Sequence, residues 1–176
     1  AYHHLNYVAA CKTCNTTFKK DWFPIAGIRD ATNDDPTQMS GEKPYLIYPV
    51  SDFDEAPESL IEFHGISPRA KQTGFGELRA LVTIEFFGLD NTSKRKGLLK
   101  ARAEKISQAY LTLRMRDSAV DTADRTMAET AIRNLTGEKA THTNAVRCFV
   151  RLWDSDQAEA ISVYRQINQW LSTVSQ

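Results

Sequence analysis

Asn6-Tyr-Val-Ala-Ala-Cys11-Lys-Thr-Cys14-Asn15-Thr-Thr-Phe-Lys19-Lys20-Asp-Trp-Phe-Pro24 is the stretch on which the reading of this chain turns. Cys11 and Cys14 are separated by two residues, the spacing of a metal half-site. Asn15 follows Cys14 directly, Asn6 lies nine positions before it, and Lys19 lies four positions after it. Residues 5–10 read as a short strand or turn entering a helix, and residues 13–20 read as a short helix. Pro24 closes the stretch, because proline disfavours helical backbone in the residue before it.

Downstream, residues 26–44 are rich in Gly, Asp, Asn, Pro and Ser and read as a long loop, a kind often functional or mobile. Pro44–Val50 (PYLIYPV) has strand composition with proline near both ends, which suits an edge strand. Residues 51–64 read as a turn and a short strand or helical turn. Pro68–Gly76 is a polar, glycine-containing break, where we place a boundary between residues 1–75 and 76–176. Beyond it the chain reads as helical. Over Glu77–Leu89 apolar residues recur at Leu78, Leu81, Val82, Ile84, Phe86 and Leu89, with Gly88 as a candidate terminator. They recur again at Leu98, Ala101, Ile106, Ala109, Tyr110 and Leu113. Asp117 or Ser118 is expected to cap a helix that stops at Gly137, and Thr141 or Thr143 the next. A last helix covers Gln157–Val174.

Composition narrows the class. The chain has 176 residues, of which 41% are hydrophobic and 25% charged, as in ordinary globular proteins. Lys+Arg and Asp+Glu are both 22, so nothing in the bulk charge drives polyanion binding; only a local patch could do so. No apolar run is long enough to cross a membrane. Three cysteines, two of them in one CxxC, do not make a disulfide framework and fit a reducing cytoplasm. The N-terminus carries no signal-peptide pattern and opens inside what reads as a motif, so residues upstream of Ala1 are expected.

The Asn6–Pro24 pattern resembles that of HNH, or ββα-metal, endonucleases: a middle Asn, a short apolar stretch, CxxC followed by Asn or His, then Lys, then Phe-Pro. Two later segments, Tyr45–Phe63 and Thr83–Asn91 with Leu98–Arg102, resemble a subgroup that includes Septu-type and retron-associated defence nucleases. The resemblance implies an α+β, predominantly helical protein, with a ββα-metal module followed by a C-terminal helical bundle. It implies metal-dependent hydrolysis of phosphodiester bonds, DNA foremost and RNA as the alternative, in antiviral defence beside a partner ATPase. It gives Asn6 the role of orienting the loop between the strands and Asn15 that of a catalytic metal ligand. An amide oxygen is a hard, neutral donor that suits Mg²⁺ or Mn²⁺ better than Zn²⁺. Cys11 and Cys14 become half of a structural zinc site, and Lys19 approaches the scissile phosphate. The general-base His and a second CxxC are expected upstream of Ala1. His3 and His4 lie too close to Asn6 to be that base and are expected to pack beside Tyr2 and Leu5.

The competing reading is a zinc-stabilised binding or assembly module without catalysis. Asp52, Asp54, Glu55 and Glu58 could mimic a metal cluster but read as a solvated acidic loop. His64 reads as a turn residue, His142 as a residue near a helix start, and Cys148 as a buried apolar residue. Tyr110, Trp153, Tyr164 and Trp170 lie at helical spacing and read as core. Arg114 and Arg116 read as surface charge. Lys94-Arg95-Lys96, with Lys19 and Lys20, are the candidate nucleic-acid contacts.

Overall fold

A computed structural model describes residues 21–33, 35–38, 40–48 and 54–174, together with Lys12, Cys14 and Thr16. The fold is α+β and predominantly helical. The described residues fall into two compact units. One is drawn from Ala1–Ile61 and Arg69–Gly88, the other from Glu62–Pro68 and Leu89–Gln176.

In the first unit the expected long loop is closed by backbone pairing at its base. The Tyr45, Ala26 and Gly27 amides donate to the Pro24, Lys43 and Glu42 carbonyls at 3.0, 3.0 and 2.8 Å, and Ile25 bridges Pro44. Asp30 Oδ1 accepts from the Thr32 and Asn33 amides, and Asp35 Oδ1 accepts from the Thr37 amide. The loop thus satisfies its own backbone through side-chain turns. Two 3₁₀ turns, Pro36–Gln38 and Ser40–Glu42, complete it, and the buried Glu42 accepts from the Asp30 amide at 2.8 Å.

Gly27 is required by close approach. A Cβ there would sit 2.0 Å from the Gly41 carbonyl oxygen and 3.0 Å from the Glu42 carbonyl. Backbone cannot rotate aside as a flexible side chain can, so Gly27→Ala is expected to cost about 1–3 kcal/mol of stability. A urea midpoint equal to wild type would show that the two segments part without cost.

The expected strand at Pro44–Val50 is not formed over its described part. Only Pro44 enters a bridge. Leu46 and Ile47 are buried, but their backbone groups are met by side chains. The Ile47 amide donates to Thr83 Oγ1, the Leu46 carbonyl accepts from Arg79 Nη2, and the Tyr48 amide donates to Asp54 Oδ2. With those groups satisfied, no ladder is needed.

Helix α1 (Pro57–Leu60) leads into strand β1 (Ile61–His64), which pairs with β2 (Ser67–Ala70) in a two-stranded sheet. The segment expected as a polar break thus forms a strand before helix α2 (Phe75–Phe87) begins. Helix α2 ends where expected, on Gly88 in the left-handed conformation, φ 57°. The hairpin turn holds Gly65 at φ 59°, where a Cβ would also lie 3.1 Å from Val163 Cγ1.

The second unit is built on helix α3 (Lys96–Ser118), which packs against α4 (Thr122–Thr136), α5 (Thr143–Ser155) and α6 (Gln157–Val174). Leu99, Ala103, Ile106, Ala109, Tyr110 and Leu113 lie on one face of α3 at three- and four-residue spacing, all buried. With Val146, Phe149, Trp153, Ala160, Val163 and Ile167 they form the core. Each fully buried large apolar side chain contributes roughly 1.5–3 kcal/mol relative to exposure. The Tyr110 ring stacks on Tyr164 at 3.6 Å and meets Trp153 edge-on at 5.6 Å, so these aromatics are core, as expected.

Two caps differ from expectation. Asp117 and Ser118 lie inside α3, and the cap of α4 is Asp121, which accepts from the Asp124 amide at 2.8 Å. Asp117 is instead committed to Trp153 Nε1 (2.8 Å), Gln157 Nε2 (3.2 Å) and Arg116 Nε (2.7 Å). Helix α5 starts from His142 in the left-handed conformation, φ 59°. Thr143 turns its hydroxyl back to the Gly137 and Ala140 carbonyls.

Candidate functional site

Most of the motif lies outside the described residues: Asn6, Cys11, Asn15, Lys19 and Lys20, and also His3, His4 and Asp52. Where the stretch is described, Lys12, Cys14 and Thr16 have helical backbone, and Thr16 Oγ1 donates to the Lys12 carbonyl at 2.8 Å. That agrees with the helix expected over this segment. Cys14 is half-buried and keeps its sulfur as a thiol. A thiol can become the thiolate that zinc requires, whereas a disulfide could not.

The aromatic pair closing the motif is turned outward, Trp22 at 70% and Phe23 at 41% exposure. Arg29 donates to the Phe23 carbonyl at 3.0 Å and holds its guanidinium 5.9 Å from the Phe23 ring centroid. The exposed end of the motif is thereby tied to the first residues of the loop.

Among the described residues no three His, Cys, Asp or Glu side chains gather in a group that could hold a metal ion.

One acid of the segment after residue 51 departs from expectation. Asp54 is not on a solvated loop. It meets Arg79 in a two-pronged ion pair, Nη2 to Oδ2 at 2.6 Å and Nη1 to Oδ1 at 2.8 Å, with the side chains 15% and 6% exposed. Burial pushes the Asp54 carboxyl up. Hydrogen bonds from Arg79 and from the Tyr48 and Glu55 amides, with the Arg79 charge, outweigh burial and hold it below the ordinary carboxylate value. Glu55 also lies 3.8 Å from Arg79 and accepts from Gln72. Asp54 thus serves the first unit's interior, while Glu55 and Glu58 are exposed, as a solvated acidic segment predicts.

The remaining sites belong to the second unit. His64 ends β1 and meets Glu159 at 3.2 Å, so its place beside the turn is as expected. His142 stands at the start of α5, also as expected. Burial, with the charges of Arg102 and Lys105, holds its pKa below the usual histidine value. Cys148 is buried, but it is more than an apolar filler. Its sulfur accepts from Arg151 Nη2 at 3.0 Å and from the Phe63 amide at 3.4 Å. Arg116 bridges Asp117 and Asp154, which raise its pKa. Arg114 donates to the Tyr110 hydroxyl.

Arg102 closes the Leu98–Arg102 segment of the resemblance, but the sequence assigned it no role of its own. It is 3% exposed, lies 4.6 Å over the Phe63 ring, and donates through Nη1 to the Ile66 and Leu89 carbonyls. Burial, and then the Arg95 charge, lower its pKa to about 10, so it stays protonated at neutral pH. Its place on the apolar face of α3, three residues after Leu99 and four before Ile106, was the available signal.

The basic run is placed on an ordered start of α3. Asn91 Oδ1 accepts from the Ser93 amide and hydroxyl and from the Lys94 amide. Lys94 and Lys96 are exposed and Arg95 is half-buried. Comparison with protein-family models, curated proteins and solved structures finds no match to this chain.

Proposed function

We propose that this chain is part of an HNH-type endonuclease that hydrolyses phosphodiester bonds in nucleic acid, DNA foremost, as an effector of antiviral defence acting with a partner ATPase. The observation that carries this reading is the Asn6–Pro24 pattern, with Asn6, CxxC, Asn15, Lys19 and Phe23-Pro24 at the family's spacing. Cys14, half-buried as a thiol in helical backbone, is compatible with it.

Hydrolysis of a phosphodiester needs a base to activate water and a cation against the crowded negative charge. Asn15 offers a hard oxygen to Mg²⁺ or Mn²⁺, and Lys19 offers a charge to the phosphate. Asn6 holds the loop that presents the base, and the resemblance puts that base, a histidine, before Ala1. Cys11 and Cys14 offer two thiolates to a structural Zn²⁺. When bound, the hard cation would stabilise charge on the phosphoryl oxygens and the leaving group.

Full-length protein is expected to cut plasmid DNA with Mg²⁺ or Mn²⁺, alone or with its ATPase partner. EDTA is expected to stop cutting and re-added Mn²⁺ to restore it. Protein that retains one zinc per chain in native mass spectrometry, yet cuts neither DNA nor RNA under any divalent metal with the partner present, would instead be the zinc-stabilised assembly module.

A further inference from the structure

Charge is distributed unevenly in this neutral chain. Residues 94–105 carry Lys94, Arg95, Lys96, Lys100, Arg102 and Lys105 against a single acid, Glu104, while the whole chain balances 22 against 22. Arg79 is matched by Asp54, and Arg116 by Asp117 and Asp154. The lysines at the start of α3 have no such match. Among the described residues, Lys94, Lys96, Lys100 and Lys105 meet no carboxylate; Lys105 donates only to Gln108.

This placement opposes helix physics. The first turn of a helix has positive character and favours Asp or Glu. The first turn of α3 has no acidic residue, its cap position is Arg95, and no side chain caps it. Cations there are unfavourable. A bound polyanion would offset this unfavourable charge at the helix start.

We propose that Lys94, Lys96 and Lys100 form a docking surface for the phosphate backbone of a nucleic acid. The choice of nucleic acid as the polyanion rests on the nuclease reading above. Lys96 and Lys100 lie one turn apart on one row of α3. Lys96 to Lys100 covers roughly 6 Å at the helical rise, and Lys94 stands just before the helix start. A duplex carries one charge per roughly 1.7 Å of its axis, so a surface of this length meets several phosphates. A membrane surface fits less well. Surface-bound amphipathic helices present large apolar residues beside their cations, and the exposed large apolar residues of α3 begin only at Leu111.

The test is fluorescence anisotropy with labelled duplex and single-stranded DNA and RNA in EDTA, which prevents cutting, over a range of salt. Wild-type chain is compared with K94E/K96E/K100E and with R125E/R133E/R165E, which makes the same charge change away from the patch. The lysine variant is expected to bind about tenfold or more weakly, with the log–log salt slope smaller by about 3. Its melting temperature is expected to hold or rise, since acids replace cations at a helix start. Equal binding by the lysine variant and wild type, or an equal loss in the arginine variant, would remove the surface from α3. A wild type that binds anionic vesicles or polyglutamate but no nucleic acid would refute the proposed partner. Cutting plays no part in this measurement, so the surface can fail while the nuclease reading stands.

Discussion

Asn15→Ala is expected to abolish metal-dependent cutting while leaving the circular dichroism spectrum and the melting temperature of the chain unchanged. In the proposed reading the Asn15 amide oxygen is one of the few protein ligands of the catalytic cation. A bound divalent cation contributes several kcal/mol of charge stabilisation in the transition state. Each 1.4 kcal/mol is a factor of ten in rate, so losing the cation costs on the order of 10³-fold or more. Asn15→Asp keeps a hard oxygen in place and adds charge, so it should retain part of the activity and respond to Mn²⁺. Replacing both Cys11 and Cys14 by Ser should act differently, removing bound zinc and lowering the melting temperature. That contrast separates the catalytic from the structural metal. Cutting by Asn15→Ala at the wild-type rate would show that Asn15 holds no catalytic metal.

What was legible in the sequence was what local periodicity encodes. Gly88 as the end of α2 and Gln157–Val174 as the last helix could be read because a helix repeats its apolar face every three to four residues. Tyr110 and Trp153 were placed in the core by the same rule. Errors arose where a side chain far along the chain decides the outcome. Leu46 and Ile47 have strand composition, yet Arg79 and Thr83 take their backbone groups from more than thirty residues away. Asp54 stood among other acids and looked solvated, because nothing local announces that Arg79 lies against it. The left-handed His142 was equally silent, since Thr141 and Thr143 on either side are good capping residues. The proposed metal-binding motif rests on spacing alone, since its candidate donors Cys11, Cys14 and Asn15 lie within a few residues of one another.

Arg79→Met is expected to destabilise the chain by about 3–5 kcal/mol, the second large effect. Arg79 is 6% exposed and Asp54 15%, so removing the cation leaves a carboxylate that is poorly hydrated and still fixed by the Tyr48 and Glu55 amides. Breaking one side of such a pair costs far more than the pair gains over an apolar substitute. It also takes the donor from the Leu46 carbonyl, which lies on a segment held by side chains instead of a ladder. Asp54→Leu in the Arg79→Met background should therefore recover part of the loss, because no buried charge is left unmatched. Acid should reproduce the effect in wild type. The folded-state pKa of Asp54 is depressed from its ordinary value of 3.8. Its contribution is thus complete above that value and is lost as pH falls below it, through the depressed folded-state value. Urea midpoints at pH 7, 5 and 3 should fall steeply at the acid end for wild type and less steeply for Arg79→Met. Parallel acid limbs in the two proteins would mean that the ion pair does not couple protonation to stability. A wild-type midpoint for Arg79→Met at pH 7 would mean that Arg79 is not what holds residues 46–48 against α2.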